Sequence, residues 1–346
     1  MRTVLYTALA LLAFAGNSVL CRLALIEHTG IPLDSGISIN SHTPISSHPP
    51  AGQSQIDSHS FTALRLISGA ITLFLLSLTA NYFQVSRLES SNPDSSNGRL
   101  KSIFTAGSWS GALALFVYAA AFSWAYVSLD TASGALILFG CVQLTMILYS
   151  RFQGAAFPLL ANTGIALAFS GLLVLFLPAA MESVFPVAQT TEPMRSTPDV
   201  LTGALLMAIS GVAWAAYTLI GQRSTSALAD TTGNFLRAAP MALLLMLIVA
   251  LFTPTQGADF GVAWGSPTGI GYALASGVLA SGAGYAIWYA VLPQLTVGKA
   301  ASLQLTVPLI AAFGGLLFAG EPLTWSFVGS AILVLGGVAL VIRSKA

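Results

Sequence analysis

Apolar residues run through this chain in long stretches, and charged residues mark where each one ends. Segments of at least 19 residues without Asp, Glu, Lys or Arg cover 3–21, 35–56, 66–86, 102–129, 131–150, 152–181, 200–222, 238–258, 260–298, 300–320 and 322–342. One of them, 35–56, contains SINSHTPISSHPP and reads as a polar loop. The other ten are rich in Leu, Ala, Val, Ile and Phe. About 20 apolar residues, rising about 1.5 Å each, cross a hydrocarbon core of about 30 Å. The runs are continuously apolar rather than alternating, which predicts helices and not barrel strands. The expectation is an all-α integral membrane protein with ten transmembrane helices.

Composition agrees. Of 346 residues, 55% are hydrophobic and 7% charged, against about 25% charged in an ordinary soluble domain. So few charges cannot cover a water-soluble surface of this size, so the expected surroundings are a lipid bilayer. A net charge of +1 offers no basic patch and predicts no nucleic-acid partner. Cys21 and Cys141 lie in or at the edges of spans and imply no disulfide framework. Arg2 before the first apolar run resembles the start of a secretory leader, but Leu20 precedes Cys21 and no small-residue cleavage site follows. The first span is expected to be retained.

Basic residues set the orientation. With the amino terminus in the cytoplasm, Arg2, Arg87, Arg99, Lys101, Arg151, Arg223, Arg237, Lys299, Arg343 and Lys345 fall inside, and Arg22, Arg65 and Arg195 outside. Both termini are therefore expected in the cytoplasm.

The chain also repeats itself. At an offset of 166, Gly134-Ala135 overlies Ala300-Ala301, Phe152 overlies Phe318, Gly154 overlies Gly320, Gly171 overlies Gly337 and Phe122 meets Trp288. Upstream, Arg65 overlies Arg237 at 172, and Phe14 and Asn17 overlie Trp214 and Tyr217 at 200. The first copy thus carries 28 extra residues before its second span and 6 more before its third. Two five-helix units follow, 1–178 (with a polar insertion at 27–60) and 200–346. An odd number of spans per unit inverts the second relative to the first, an architecture common among secondary transporters. A duplication kept only for packing is the alternative.

The duplicated five-helix unit, the joint Gly320-Glu321-Pro322-Leu323, the run Trp214 to Tyr217 (WAAY) and the opening FAGNSVLCRLAL (Phe14 to Leu25) resemble the EamA family of the drug/metabolite transporter superfamily. The resemblance spans nearly the whole chain and lies in the order and spacing of these features. It implies ten helices, cytoplasmic termini, a bacterial inner-membrane location, and export or exchange of small metabolites, amino acids or drugs. It also implies that spans 1, 3, 4, 6, 8 and 9 surround a central cavity. The family usually carries the glutamate joint in both halves. Here it stands only at Glu321, with Ala155-Ala156 in the matching place.

Read from the residues, Glu321 closes one span and Pro322 opens the next, where a missing N–H costs little. A structural cap is the expected role of this joint, with substrate chemistry the alternative. No span as drawn contains Asp, Glu, Lys or Arg, so no carboxylate relay appears and no coupling ion is named. The candidate substrate-binding groups are aromatic and amide: Asn17, Tyr118, Trp124 and Gln143 in the first half, and Trp214, Tyr217, Tyr285, Trp288 and Gln304 in the second. Pairs three apart, such as Trp214 with Tyr217 and Tyr285 with Trp288, share a helix face. Intramembrane amides can instead join helices, and aromatics can sit at the lipid interface. Arg65 and Arg237 are expected to reach phospholipid headgroups, with contact to an anionic group the alternative. Gly277, Gly282 and Gly284 would leave span 8 loosely held, as a gate needs, or serve close packing.

The insertion 27–60 holds His28, His42, His48 and His59 at separations of 14, 6 and 11, which match no ordinary zinc pattern. It reads as a disordered loop, and neither a metal nor a cofactor is expected. An integral-membrane enzyme would need a nucleophile with a base, paired acids or a metal cluster at membrane depth, and the spans supply none. A nucleotide-sugar or phosphate-ester antiporter would need several buried cations. The expected function is a secondary transporter of a small-molecule substrate.

Overall fold

The structure, a computed structural model, describes residues 2–26, 56–87, 105–154, 158–184, 197–222, 224, 226–252, 265–291, 294, 303–304 and 306–344. Regular structure among them is helical. The principal helices are α1 (Arg2–Leu25), α2 (Ser58–Arg87), α3 (Trp109–Ser128), α4 (Thr131–Phe152), α5 (Leu159–Val184), α6 (Thr197–Gly221), α7 (Ala227–Phe252), α8 (Pro267–Val291), α9 (Val307–Phe318) and α10 (Trp325–Ser344). Seven of these are long and apolar enough to cross a bilayer, and α5, α9 and α10 contain shorter apolar segments. The chain is a multi-pass helical membrane protein. Large apolar side chains on the outer faces, such as Leu244, Leu247, Ile248 and Leu251 of α7, are exposed, as a lipid-facing helix requires.

Helix starts follow local chemistry. Ser108 caps α3 by accepting from the Gly111 amide at 3.0 Å. Ser266 caps α8 through Gly269 at 3.1 Å, with Pro267 in the first turn. Each side chain satisfies an amide that the helix leaves without a partner.

The helices pack in definite partnerships: α5 on α10, α3 on α6, α1 along α8, α2 on α7 and α8, α4 on α6 and α9, α1 on α9, and α3 on α7. Small residues allow the closest approaches. A methyl placed on Gly337 would lie 2.5 Å from the Gly164 carbonyl oxygen, and one on Gly164 equally close to that of Gly337, so α5 and α10 touch backbone to backbone.

Helix α8 is not regular. Pro267–Ala275 and Gly284–Val291 are α-helical, and Ser276–Ala283 between them is a π-helical stretch. Its glycines hold the helix close rather than loosely. A side chain at Gly277 would meet the Arg65 carbonyl oxygen at 2.5 Å, one at Gly282 would meet Thr72 at 2.8 Å, and one at Gly284 would meet Ala13 at 2.7 Å. Close packing therefore accounts for all three.

Several expectations change here. Helix α2 begins at Ser58, so His59 lies in its first turn, buried, with Nε2 3.6 Å from Asp57 Oδ2. The rest of the histidine-containing insertion, 27–55, lies outside the described residues. Arg65 is not at the start of a span. It is the eighth residue of α2, about 10 Å along it at 1.5 Å per residue, and only 1% exposed. It does not reach headgroups. Arg237 is half-buried and donates to the carbonyls of Ala106 (2.5 Å) and Gly233 (2.9 Å). At the joint, α9 ends at Phe318, Gly320 turns the chain at φ +66°, and α10 starts only at Trp325. Thr324 Oγ1 accepts from the Phe327 amide at 3.1 Å. Pro322 thus sits in a non-helical link and does not open the helix. Gly154, the matching residue after α4, also has a positive φ, +87°.

Candidate functional site

Trp214 of α6 is the centre of a buried aromatic cluster. Its ring lies 4.7 Å from Tyr118 of α3, 5.1 Å from Tyr285 of α8, 5.6 Å from Tyr217 and 6.1 Å from Phe14 of α1. Phe14 also meets Trp288 at 5.6 Å, edge to face. Five helices leave a small cavity at this cluster, about 10 Å³ in volume, lined by Phe14, Asn17, Tyr118, Phe122, Leu138, Phe139, Trp214 and Tyr285. Every lining side chain is buried. Apolar walls with a few convergent polar groups are the usual make-up of a small-molecule site.

The polar side of the pocket is a continuous hydrogen-bond chain. Ser276 Oγ donates to Asn17 Oδ1 at 2.6 Å, and Asn17 Nδ2 donates to the Tyr118 hydroxyl at 3.4 Å. Arg65 Nη2 donates to the same hydroxyl at 3.0 Å, and Arg65 Nε donates to Ser281 Oγ at 3.0 Å. The chain starts and ends on the π-helical stretch of α8 and passes through α1, α3 and α2. In a regular α-helix, residues five apart point about 140° away from each other. The i→i+5 bonding of a π-turn brings them toward one face, so Ser276 and Ser281 both reach this ring.

Arg65 stands behind the aromatic wall, its guanidinium carbon 5.1 Å from the centre of Tyr118 and 5.0 Å from that of Phe122. Its Nη1 has no hydrogen-bond partner among the described residues.

Of the sequence candidates, Asn17, Tyr118, Trp214 and Tyr285 line the pocket. Tyr217 and Trp288 are buried one ring further out. Gln143 and Gln304 are buried but do not line it, and Trp124 is only half-buried on α3. The pocket also has lining residues outside that set. Phe14 and Phe122 are signalled by their repeat counterparts Trp214 and Trp288, and Leu138 and Phe139 by nothing that separates them from other core residues.

A second polar cluster lies apart from this one. Arg22, at the end of α1, is 3% exposed. Its Nε donates to Glu321 Oε1 at 2.7 Å and its Nη1 to the Tyr126 carbonyl at the end of α3 at 2.9 Å. Asp130 Oδ1 is 3.6 Å from Nη2. Glu321 Oε2 accepts from the Thr131 amide at 2.8 Å. The side chain of Asp130, at the cap position of α4, makes no capping bond, and Glu321 fills that role from 190 residues away. An anion at a helix start and a cation at a helix end both meet favourable dipole ends.

These features define a multi-pass helical membrane protein with a small, buried, aromatic-walled cavity between its helices. The EamA-like transporter family model matches residues 201–343. Protein PA1977 of Pseudomonas aeruginosa, described as uncharacterized, is 42% identical over 344 residues, covering 99% of this chain and 96% of the relative. YwfM of Bacillus subtilis, described as an uncharacterized transporter, is 29% identical over 138 residues, 39% of this chain and 44% of that one. A solved crystal structure 15% identical covers 100% of this chain and 99% of its own, with a TM-score of 0.56, a likeness of fold alone. The likeness to the EamA-like transporter family thus lies in residues 201–343.

Proposed function

We propose that the protein is a secondary transporter that exports small metabolites, amino acids or drugs across the bacterial inner membrane by alternating access. The reading rests on one observation above all: the pocket draws its lining from both halves of the chain. Phe14, Asn17, Tyr118, Phe122, Leu138 and Phe139 come from unit 1–178, and Trp214 and Tyr285 from unit 200–346. Helix partnerships support an inverted pair. Exchanging each helix with its counterpart five places on turns α3–α6 into α8–α1, α4–α6 into α9–α1, and α2–α8 into α7–α3. The contacts α2–α7, α4–α9 and α5–α10 map onto themselves. Two similar halves around one site can exchange conformations and open it to either side.

With the amino terminus inside, the ends of α1, α3 and α9 lie on the outer side, so the Arg22–Glu321 pair closes that side. At the positions that match them in the sequence repeat stand Gln222 and Ala155, so the pair is written in one copy only.

Solute efflux from cells or proteoliposomes tests this function. Trp214→Ala, at the centre of the pocket, lowers efflux and resistance to a toxic solute at least about ten-fold, the scale of a lost aromatic contact. Tyr217→Ala and Gln143→Ala, further out, have smaller effects. Unchanged flux in all three, with the protein still made, contradicts the cavity assignment. A growth screen with toxic amino-acid analogues and drugs identifies the solute.

A further inference from the structure

We propose that Arg65 is an anion subsite of the pocket, so that the preferred solute is a monoanion: one carboxylate, or a group of like charge and size, on an aromatic or otherwise apolar body. The inference rests on the transporter reading above and names the chemistry of its substrate.

Three observations carry it. First, the charge is buried and has no counter-ion among the described residues. Arg65 is 1% exposed, and no carboxylate among the described residues pairs with it. Its hydrogen-bond partners, Tyr118 and Ser281, are hydroxyls. A buried guanidinium is normally paired with a carboxylate. Second, one of its nitrogens has no partner among the described residues: Nε and Nη2 are engaged, and Nη1 is not. A planar fork with an open donor suits a carboxylate. Third, the surroundings are built to hold the charge in this position. Ser281, Tyr118 and the two rings at 5.0 and 5.1 Å fix the guanidinium behind the pocket wall. The Tyr118 hydroxyl already accepts from Arg65 and Asn17, so its own proton is left to donate, again toward an acceptor.

The rest of the pocket sets the body of the solute. Phe14, Phe122, Phe139, Trp214 and Tyr285 are aromatic walls, and no acidic side chain lines the pocket to meet an ammonium. A single fixed positive charge favours a net anion over a cation. One arginine stands here among the described residues, so one negative charge is matched and a dianionic phosphate is not.

Four probes sharing a phenylpropyl body isolate the head group: 3-phenylpropionate, phenylalanine, 3-phenylpropylamine and 3-phenylpropanol. Binding to the purified full-length protein is read from the fluorescence of its tryptophans, and uptake is measured in proteoliposomes. The anion is expected to bind at least roughly ten-fold more tightly than the amine or the alcohol, the scale of a charge-assisted hydrogen bond. Arg65→Gln lowers its affinity roughly ten- to hundred-fold, leaves the alcohol within about two-fold, and removes the preference. Arg65→Lys retains part of it.

The inference is overturned if the anion binds no better than the amine or alcohol, if phenylalanine binds best, if none of the four binds saturably, or if Arg65→Gln weakens all four alike. The last result marks a structural arginine. Protein-dependent flux without anion preference sinks the subsite and leaves the transporter standing. Anion binding that depends on Arg65 but never produces flux supports the subsite and contradicts the transporter.

Discussion

Arg22 and Glu321 stand 299 positions apart, yet their Nε and Oε1 atoms meet at 2.7 Å where both side chains are almost sealed from solvent. The pair ties the end of α1 to the joint between α9 and α10, and through the Thr131 amide to the start of α4. A glutamate that looks in sequence like a cap for the helix following it serves a different helix, one whose own cap residue is turned elsewhere. The acid is therefore paired and fully used, which is how a carboxylate survives out of water.

Removing one partner leaves the other charge buried, at a cost of about 3–5 kcal/mol in comparable sites. Glu321→Ala and Arg22→Gln should each lower the melting temperature in detergent substantially. The double variant, which recreates the Gln222 and Ala155 combination of the matching positions, should be more stable than the sum of the two losses predicts. Strict additivity would show that the two side chains do not act as a pair.

Tyr118→Phe deletes one oxygen from the centre of the hydrogen-bond chain. Arg65 Nη2 and Asn17 Nδ2 then lose their shared acceptor, a loss of about 1–3 kcal/mol for buried donors. Thermal unfolding should register a clear drop although the ring, and hence its contact with Trp214, remains. A variant as stable as the parent would mean that the 3.0 and 3.4 Å contacts carry no energy.

How much of this was legible in the sequence can be judged residue by residue. The long apolar runs predict helices because lipid leaves the backbone no other partners. Asn17, Tyr118, Trp214 and Tyr285 stand out as polar or amphipathic groups in those runs, and all four line the pocket. Arg65 lies inside α2, where no charge-free run marks it. Using charges to mark the ends of spans assigns every intramembrane arginine to an end, so a buried one cannot be recognised. The same ruler put His59 outside α2. The partner of Glu321 was hidden for another reason: contacts between residues 299 apart leave no local periodicity. The π-stretch had only its glycines as a sign, and close contact with Arg65 and Thr72 gives those glycines a meaning that spacing alone could not.

Paired glycine substitutions in α8 separate close packing from helix propensity. Gly277→Ala drives a methyl against the backbone and side chains of α2 and should cost about 1–3 kcal/mol as an overpacked site. Gly271, in the same helix, has nothing within 4 Å of an added methyl, so Gly271→Ala should be neutral or stabilising by up to about 1 kcal/mol. Melting curves of the two variants check this. Equal shifts would remove the assigned role of Gly277 in holding α8 on α2.

Alternating access to the pocket is tested most directly by a single reporter thiol. With Cys21→Ser and Cys141→Ser removing the native cysteines, Leu138→Cys places one thiol in the pocket wall. Its modification by a membrane-impermeant maleimide is followed in right-side-out and inside-out vesicles. A transporter working as described should be labelled from both sides, with a transported solute slowing the reaction from each. Labelling from one side only, unchanged by solute, would contradict the account.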